Sequence, residues 1–323
     1  MVSVLMNLKG NIELNVGARL STLAHVGALD WAAVRAQAAL AAAQATGVGF
    51  VAGALAMVTG RGSHVAMLLA TGGASALGGS GAMALLIGAT VRVAHVCGVD
   101  PDNVATPVAS SVGDASTLLA VGGLASALTR APSSVATLAV CVVAVLAAVL
   151  GGVAVANRQT AGHVRGGWAA LAYAAVTSGI AGVVVERSAG RFPALPALVP
   201  LVNGVTGNIS TVFASRISTS LHRQAFVAAD HRLAMAILLL ISVPVQAAVL
   251  LAAHSFVSLP FLAAFAVATA IHGLSVLVLA LAACRYLWNR GHDPDDCVNP
   301  LVTGTGDMLG TLLLAMVFTL VEA

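Results

Sequence analysis

Charge is what this sequence has least of. Only 8% of its 323 residues are Asp, Glu, Lys or Arg, while 59% are hydrophobic and the mean hydropathy is +0.97. A soluble domain carries about 25% charge, so a water-soluble fold is excluded and the chain is an integral membrane protein. Lysine occurs once, at Lys9, and the net charge of +3 is arginine spread over short loops. No basic cluster exists, which excludes a nucleic-acid partner. Cysteine is sparse as well: Cys97, Cys141, Cys284 and Cys297 are scattered and form no C-x-x-C pair. Neither a zinc site nor a disulfide framework is supported, and the four read as small buried apolar residues. The first residues lack a basic n-region, and the polar run Asn7, Lys9, Asn11, Glu13 follows at once, so no signal peptide is expected. No separate soluble regulatory domain is expected within this length.

What the sequence has instead is long apolar segments. A spanning helix needs about 20 apolar residues. Roughly ten such segments are predicted, near residues 1–23, 36–59, 65–90, 104–129, 134–156, 167–186, 195–219, 233–253, 256–284 and 299–321. The expected fold is all-α, a polytopic membrane bundle of about ten spans surrounded by lipid. Loop arginines divide unevenly. Arg35, Arg92, Arg158, Arg165, Arg223, Arg232, Arg285 and Arg290 fall in one alternate set of loops, and Arg61, Arg130, Arg187 and Arg191 in the other. The richer set is expected in the cytoplasm, which puts the C-terminus outside the cell membrane.

Two stretches repeat. Asp100-Pro101-Asp102-Asn103, continuing through Pro107 to Gly113-Asp114, returns as Asp293-Pro294-Asp295-Asp296, continuing through Pro300 to Gly306-Asp307, at a shift of 193 positions. Gly10-Asn11 before Arg19-Leu20-Ser21-Thr22 returns as Gly207-Asn208 before Arg216-Ile217-Ser218-Thr219, at a shift of 197. Two motifs repeating in the same order mark an internal duplication, as in many transporters. The expected organisation is a first repeat over 1–130, a linking helix over 131–160 and a second repeat over 161–323. Equivalent segments lie an even number of spans apart, so the repeats should run parallel as a pseudo-dimer within one chain.

The repeated polar residues carry the chemistry. Asp114 and Asp307 lie inside apolar segments, where an ionised group is costly and marks a functional site by default. At about 1.5 Å per residue, Asp114 lies about 20 Å beyond Pro101, well into the hydrocarbon core. Two such acids facing one another across parallel repeats would repel and call for a cation between them. Asp100 and Asp293 precede proline at a helix start and read as N-caps, with Asp102 and Asp295 adding negative charge at the same cytoplasmic mouth. Pro107 and Pro300 fall within their helices, kinking them and freeing the carbonyls of Asn103 and Asp296. Asn11 and Asn208 offer amide oxygens, a hard-cation ligand, and Gly10 and Gly207 before them permit a local break or a close backbone approach. The alternative for each asparagine is an interhelical hydrogen bond. Glu13 has Ser210 as its counterpart, so it either tunes one side of the path or pairs with Arg19. The glycine-rich run from Thr71-Gly72-Gly73 to Gly79-Ser80-Gly81 reads as close helix packing. His95 and His272 sit at unmatched positions and read as satisfied imidazoles.

These motifs together resemble the solute carrier family 41 of magnesium transporters, the duplicated relatives of the bacterial MgtE channel. The resemblance covers nearly the whole chain. It includes Asn203-Gly204, Ala214-Ser215 before Arg216, and Met308-Leu309-Gly310-Thr311 after Asp307. It implies units of five spans joined by an extra helix, with Asp114 and Asp307 as the pore aspartates and the Gly-Asn segments as the other pore-lining helix. That pattern has a span ahead of the first Gly-Asn helix, so by the resemblance the first span is expected to be missing before Met1.

The function expected is transport of divalent cations, above all Mg2+, through a path between the repeats lined by the paired aspartates, with no organic cofactor. A Na+-coupled Mg2+ exchanger is the alternative to channel-like uptake. Two remoter readings are a non-transporting membrane subunit and an intramembrane aspartyl protease. Gly304-Thr305-Gly306-Asp307 and Pro193-Ala194-Leu195 imitate protease elements in the wrong order. The chain is not expected to be an enzyme.

Overall fold

Backbone polar groups inside lipid must be satisfied within their own segment, and the apolar stretches accordingly become helices. The computed structural model describes residues 2–58, 65–164, 166–253 and 258–321. Among the described residues there are ten helices and no strand. They are α1 (Val2–His25), α2 (Trp31–Val58), α3 (Val65–Val96), α4 (Asp102–Thr129), α5 (Ser133–Ala156), α6 (Trp168–Ala189), α7 (Leu195–His222), α8 (Ala228–Ala253), α9 (Leu259–Asn289) and α10 (Pro294–Val321). The chain is an all-α integral membrane protein. The loop residues Arg61, Gly62, Ser63, His64 and Arg165 lie outside the described residues.

Among the described residues eight helices, α3 to α10, are long and apolar enough to cross a membrane. α1 and α2 are not among them, although the apolar runs at 1–23 and 36–59 suggested spans. α1 carries Lys9, Asn11, Glu13, Asn15 and Arg19, and all five are at least 96% buried. Its polarity thus faces protein. Gln37 and Gln44 of α2 are buried in the same way. Helices also run beyond their apolar stretches: α3 and α9 stop only where Gly98 and Gly291 turn left-handed, at φ 70° and 74°. The shift of 193 carries one onto the other, so the turns before both Asp-Pro-Asp motifs are built alike.

The chain divides into two compact units, residues 1–168 and 169–323. In the first, α1 packs against α2, α3 and α4, and α5 packs against α2 and α3. The α2–α3 contact is the tightest. A Cβ on Gly49 would lie 2.3 Å from the carbonyl oxygen of Gly72, and one on Gly53 would lie 2.8 Å from that of Leu68. The glycine-rich run therefore does what close helix packing requires. The outer face of α5 is bare, with Leu138, Val145 and Val149 all more than half exposed, as lipid contact demands.

In the second unit α7, α9 and α10 pack on one another, with α8 against α7 and α9. Their apolar contacts fall into two clusters. One joins Leu195, Leu198 and Val202 to Phe261, Phe265, Leu314 and Phe318. The other joins Phe213 and Ile217 to Val276, Leu277, Val298 and Val302. In all three helices polar residues fall between the clusters: Asn203, Thr206 and Asn208 of α7, Thr269 and His272 of α9, and Thr305, Asp307 and Thr311 of α10. A polar layer at mid-helix is thus held between two apolar ones. Of the four cysteines only Cys284 is buried; Cys97 and Cys141 are exposed, which corrects the reading of all four as core residues.

Candidate functional site

Each unit carries its aspartate in the middle of a helix bearing an internal proline: Asp114 on α4 after Pro107, and Asp307 on α10 after Pro300. In the second unit the Asp307 carboxylate is half-buried and accepts a hydrogen bond from Ser178 Oγ of α6 at 3.1 Å. α6 approaches α10 closely because Gly304 has no side chain; a Cβ there would lie 2.5 Å from Thr177 Oγ1 and 2.8 Å from Ala174 Cα. Tyr173 and Thr305 hydroxyls, 2.9 Å apart, complete that contact.

The turn that follows Asp307 is clamped from two sides. Asn203 of α7 donates its amide N–H to the Asp307 carbonyl at 3.2 Å and to Thr311 Oγ1 at 3.4 Å. His272 of α9 donates from Nε2 to the Gly306 carbonyl at 2.9 Å, which leaves Nδ1 as a bare acceptor. His272 is 1% exposed, and neither its Nδ1 nor Asn203 Oδ1 has a hydrogen-bond partner among the described residues. Both point at Gly310, where a Cβ would lie 2.3 Å from Asn203 Oδ1 and 2.9 Å from His272 Nδ1. A cavity of about 10 Å3 lined by His272, Gly310, Thr269 and Phe265 adjoins them, room for about one water. The expectation of a satisfied imidazole at His272 is therefore only half met.

In the first unit Asp114 is exposed, and Gly113 before it is buried against α1. Glu13 faces Gly113. It is ion-paired to Lys9, one turn earlier on α1, and not to Arg19, whose guanidinium donates to Gln37 Oε1 at 3.3 Å. Asn11 is buried and donates its amide to the Asn7 carbonyl of its own helix at 2.9 Å. Asn208 is half-buried. The break or close approach expected at Gly10 and Gly207 does not occur: α1 and α7 are continuous there, and a Cβ on either glycine would meet nothing within 4 Å.

At the helix starts the two units are built alike. Asp100 and Asp293 act as caps, accepting the N–H of Asp102 at 3.1 Å and of Asp295 at 2.9 Å, as expected of an aspartate before an N1 proline. Asp102 and Asp295 are 2% and 3% exposed, so they face protein and not an open mouth. A histidine joins each pair. His25 Nε2 lies 3.4 Å from Asp100 Oδ1, and His222 Nε2 lies 3.5 Å from Asp293 Oδ2. The other ring nitrogen of each donates to a carbonyl four residues back, Ser21 or Ser218. The hydrogen bond to Asp100 holds the His25 imidazole above the ordinary histidine range, against the opposing effect of burial. In each trio, His25, Asp100 and Asp102 or His222, Asp293 and Asp295, one donor atom per residue lies within 4.8 Å of the others, a spacing that could hold a metal ion. Motif reading missed both histidines, although the shift of 197 carries His25 onto His222.

Comparison with known proteins bears on this arrangement. No solved structure matches the chain. Solute carrier family 41 member 2 of Gallus gallus is 28% identical over 98% of this chain, and the chain covers 63% of that protein. The Mus musculus member 2 gives the same figures. Member 3 of Mus musculus is 29% identical over 99% of the chain, which covers 74% of it. The chain thus spans less than two thirds of the member 2 proteins. The sequence profile of MgtE, described as a divalent cation transporter, matches residues 2–124 and 199–317, taking in both aspartates, both Gly-Asn pairs and both Asp-Pro-Asp motifs. The chain belongs to the MgtE family of divalent cation transporters.

Proposed function

We propose that this chain carries Mg2+ across the cell membrane, with Asp114 of the first unit and Asp307 of the second as the acids that meet the ion. The observation that carries the reading is the family match over both units, combined with the same position for the two aspartates in α4 and α10. Mg2+ keeps several waters and is held by one or two carboxylates, not by a full protein cage. One acid per unit, with the Ser178 hydroxyl beside Asp307, suits such a hydrated ion. The part-exposed Asp100 and Asp293 at the starts of α4 and α10 form its cytoplasmic approach.

Two charges moving through about 100 mV are worth about 4.6 kcal/mol, so a passive path carries Mg2+ inward. Export needs coupling, for which a Na+ gradient is the natural source. The test is Mg2+ flux into proteoliposomes holding the chain alone, with and without a Na+ gradient, for wild type, Asp114→Asn and Asp307→Asn. Wild-type flux that falls at least about tenfold in each variant supports the reading. Flux that requires Na+ on the opposite side reassigns the mechanism to exchange. Wild-type rates in both variants remove the aspartates from the path, and no flux from wild type removes the function.

A further inference from the structure

The aspartates are equivalent but their surroundings are not. The shift of 197 between α1 and α7 carries Lys9 onto Thr206 and Glu13 onto Ser210. The shift of 193 carries Gly79 onto His272 and Ser80 onto Gly273. Lys9, the one lysine in the sequence, is fully buried. It pairs with Glu13 on the next turn, and its stem crosses α3 where residue 79 has no side chain. A Cβ on Gly79 would lie 2.9 Å from Lys9 Cε. Ser80 Oγ donates to Glu13 Oε1 at 3.2 Å. Glu13 is 1% exposed, yet its second oxygen, Oε2, has no hydrogen-bond partner among the described residues. That oxygen points at α4: a Cβ on Gly113 would lie 2.3 Å from it, and the next residue is Asp114.

The first unit therefore holds a buried Lys9–Glu13 pair against Gly113, the residue that precedes Asp114 on α4. In the second unit the positions equivalent to Lys9 and Glu13 carry two neutral hydroxyls, Thr206 and Ser210. A buried ion pair is a poor device for stability alone, since an apolar pair of similar volume serves as well. The orphaned oxygen of Glu13, aimed at the helix that carries Asp114, is the sign of a site for a cation.

Resting on the transport reading above, we propose that Lys9 is a tethered resident cation of the first unit. It occupies a two-carboxylate site, Glu13 with Asp114, which without it would bind a divalent ion from solution. The two units are then unequal partners in transport. Asp307 takes its cation from solution, while Asp114 shares one that never leaves. The charge on the trio Lys9, Glu13 and Asp114 is −1, and substitutions change it in steps: −2 in Lys9→Met, 0 in Glu13→Gln, and −1 again in the double variant.

The test is Mn2+ binding to the purified full chain in detergent, read from the loss of the free-ion signal in electron paramagnetic resonance. Lys9→Met should bind Mn2+ at least about tenfold more tightly than wild type, or take up an additional ion. Glu13→Gln should bind it more weakly by a similar factor, and the double variant should fall between the two. A merely structural ion pair predicts something else: both single variants lose stability, and Mn2+ binding either stays put or falls in both. Unchanged binding in Glu13→Gln, or shifts of the same sign in the two single variants, overturns the proposal. Should Lys9→Met fail to fold, Glu13→Gln against the double variant still decides the order. Asp307→Asn measured alongside checks the transport reading separately, since loss of its Mn2+ binding does not depend on Lys9.

Discussion

Gly49→Ala is the sharpest probe of how the first unit is packed. The added methyl would lie 2.3 Å from the carbonyl oxygen of Gly72, 2.7 Å from its carbonyl carbon and 3.0 Å from the Ala76 Cβ. The nearest two obstacles are backbone, so no rotamer change relieves the clash. Ordinary contact begins near 3.4 Å, and α2 and α3 must part by about 1 Å. Overpacking of this kind costs about 1–3 kcal/mol, with the upper end apt where backbone has to move. Replacing Gly by Ala within a helix returns about 1 kcal/mol. The net expectation is a loss of about 1–2 kcal/mol, or several degrees of melting temperature for a unit of this size.

Gly10→Ala is the matched control, because a Cβ there meets nothing within 4 Å and only the helix-propensity gain remains. The assay is thermal unfolding of both variants in one detergent, followed by fluorescence of the three tryptophans. Gly49→Ala should melt several degrees below wild type, and Gly10→Ala at or slightly above it. The displacement should also slow flux, because α3 carries Gly79 and Ser80 against Lys9 and Glu13. Equal melting temperatures for the two variants would refute the α2–α3 contact as described.

Two further outcomes follow from the sites. Gly310→Ala drives a methyl to 2.3 Å from Asn203 Oδ1 and 2.5 Å from His272 Cε1, so Asn203 must swing away and give up its bonds to Asp307 and Thr311; lower melting temperature and slower flux are expected, with Asn203→Ala in the same background recovering part of the stability but not the flux. Because the folded His25 pKa lies above its unfolded value near 6.5, the charged imidazole adds stability that is complete below that value and fades as pH rises through the folded one; the melting-temperature gap between wild type and His25→Gln should be widest in mild acid and close on the alkaline side.

The helices were legible because their signal is additive. Twenty apolar residues in a row outweigh any single polar one, and the ten segments read from hydropathy fall on the ten helices. The duplication was legible for a different reason: Asp-Pro-Asp and Gly-Asn are rare in an Ala/Val-rich chain, so their recurrence at nearly one shift is informative. The histidines at the helix starts were missed, since each stands beyond its apolar segment and is joined to its aspartates only by the fold, 75 residues apart for His25 and Asp100. His272 was read as satisfied because nothing in a sequence tells an imidazole that bonds one backbone carbonyl from one that bonds two partners. Asn11 and Gly10 carried the family pattern, yet the space beside them is a property of neighbouring helices that periodicity does not encode.

Lys9 is the instructive failure. Read along the chain it belongs to a polar run at a terminus, where a lysine would ordinarily be solvated. Its burial depends on two absences elsewhere, the side chain of Gly79 on α3 and that of Gly113 on α4, which leave room for its stem and for its partner Glu13. Such a residue cannot be copied to the second unit, because His272 fills the place of Gly79 there. In a symmetric dimer of identical chains each half must carry the same compensation for its acid. A fused duplicate is released from that rule, and the unlike partners of Asp114 and Asp307 are what the release permits. Alignment of the halves on their shared motifs reveals the acids, and only the packing around them reveals which acid already has a cation.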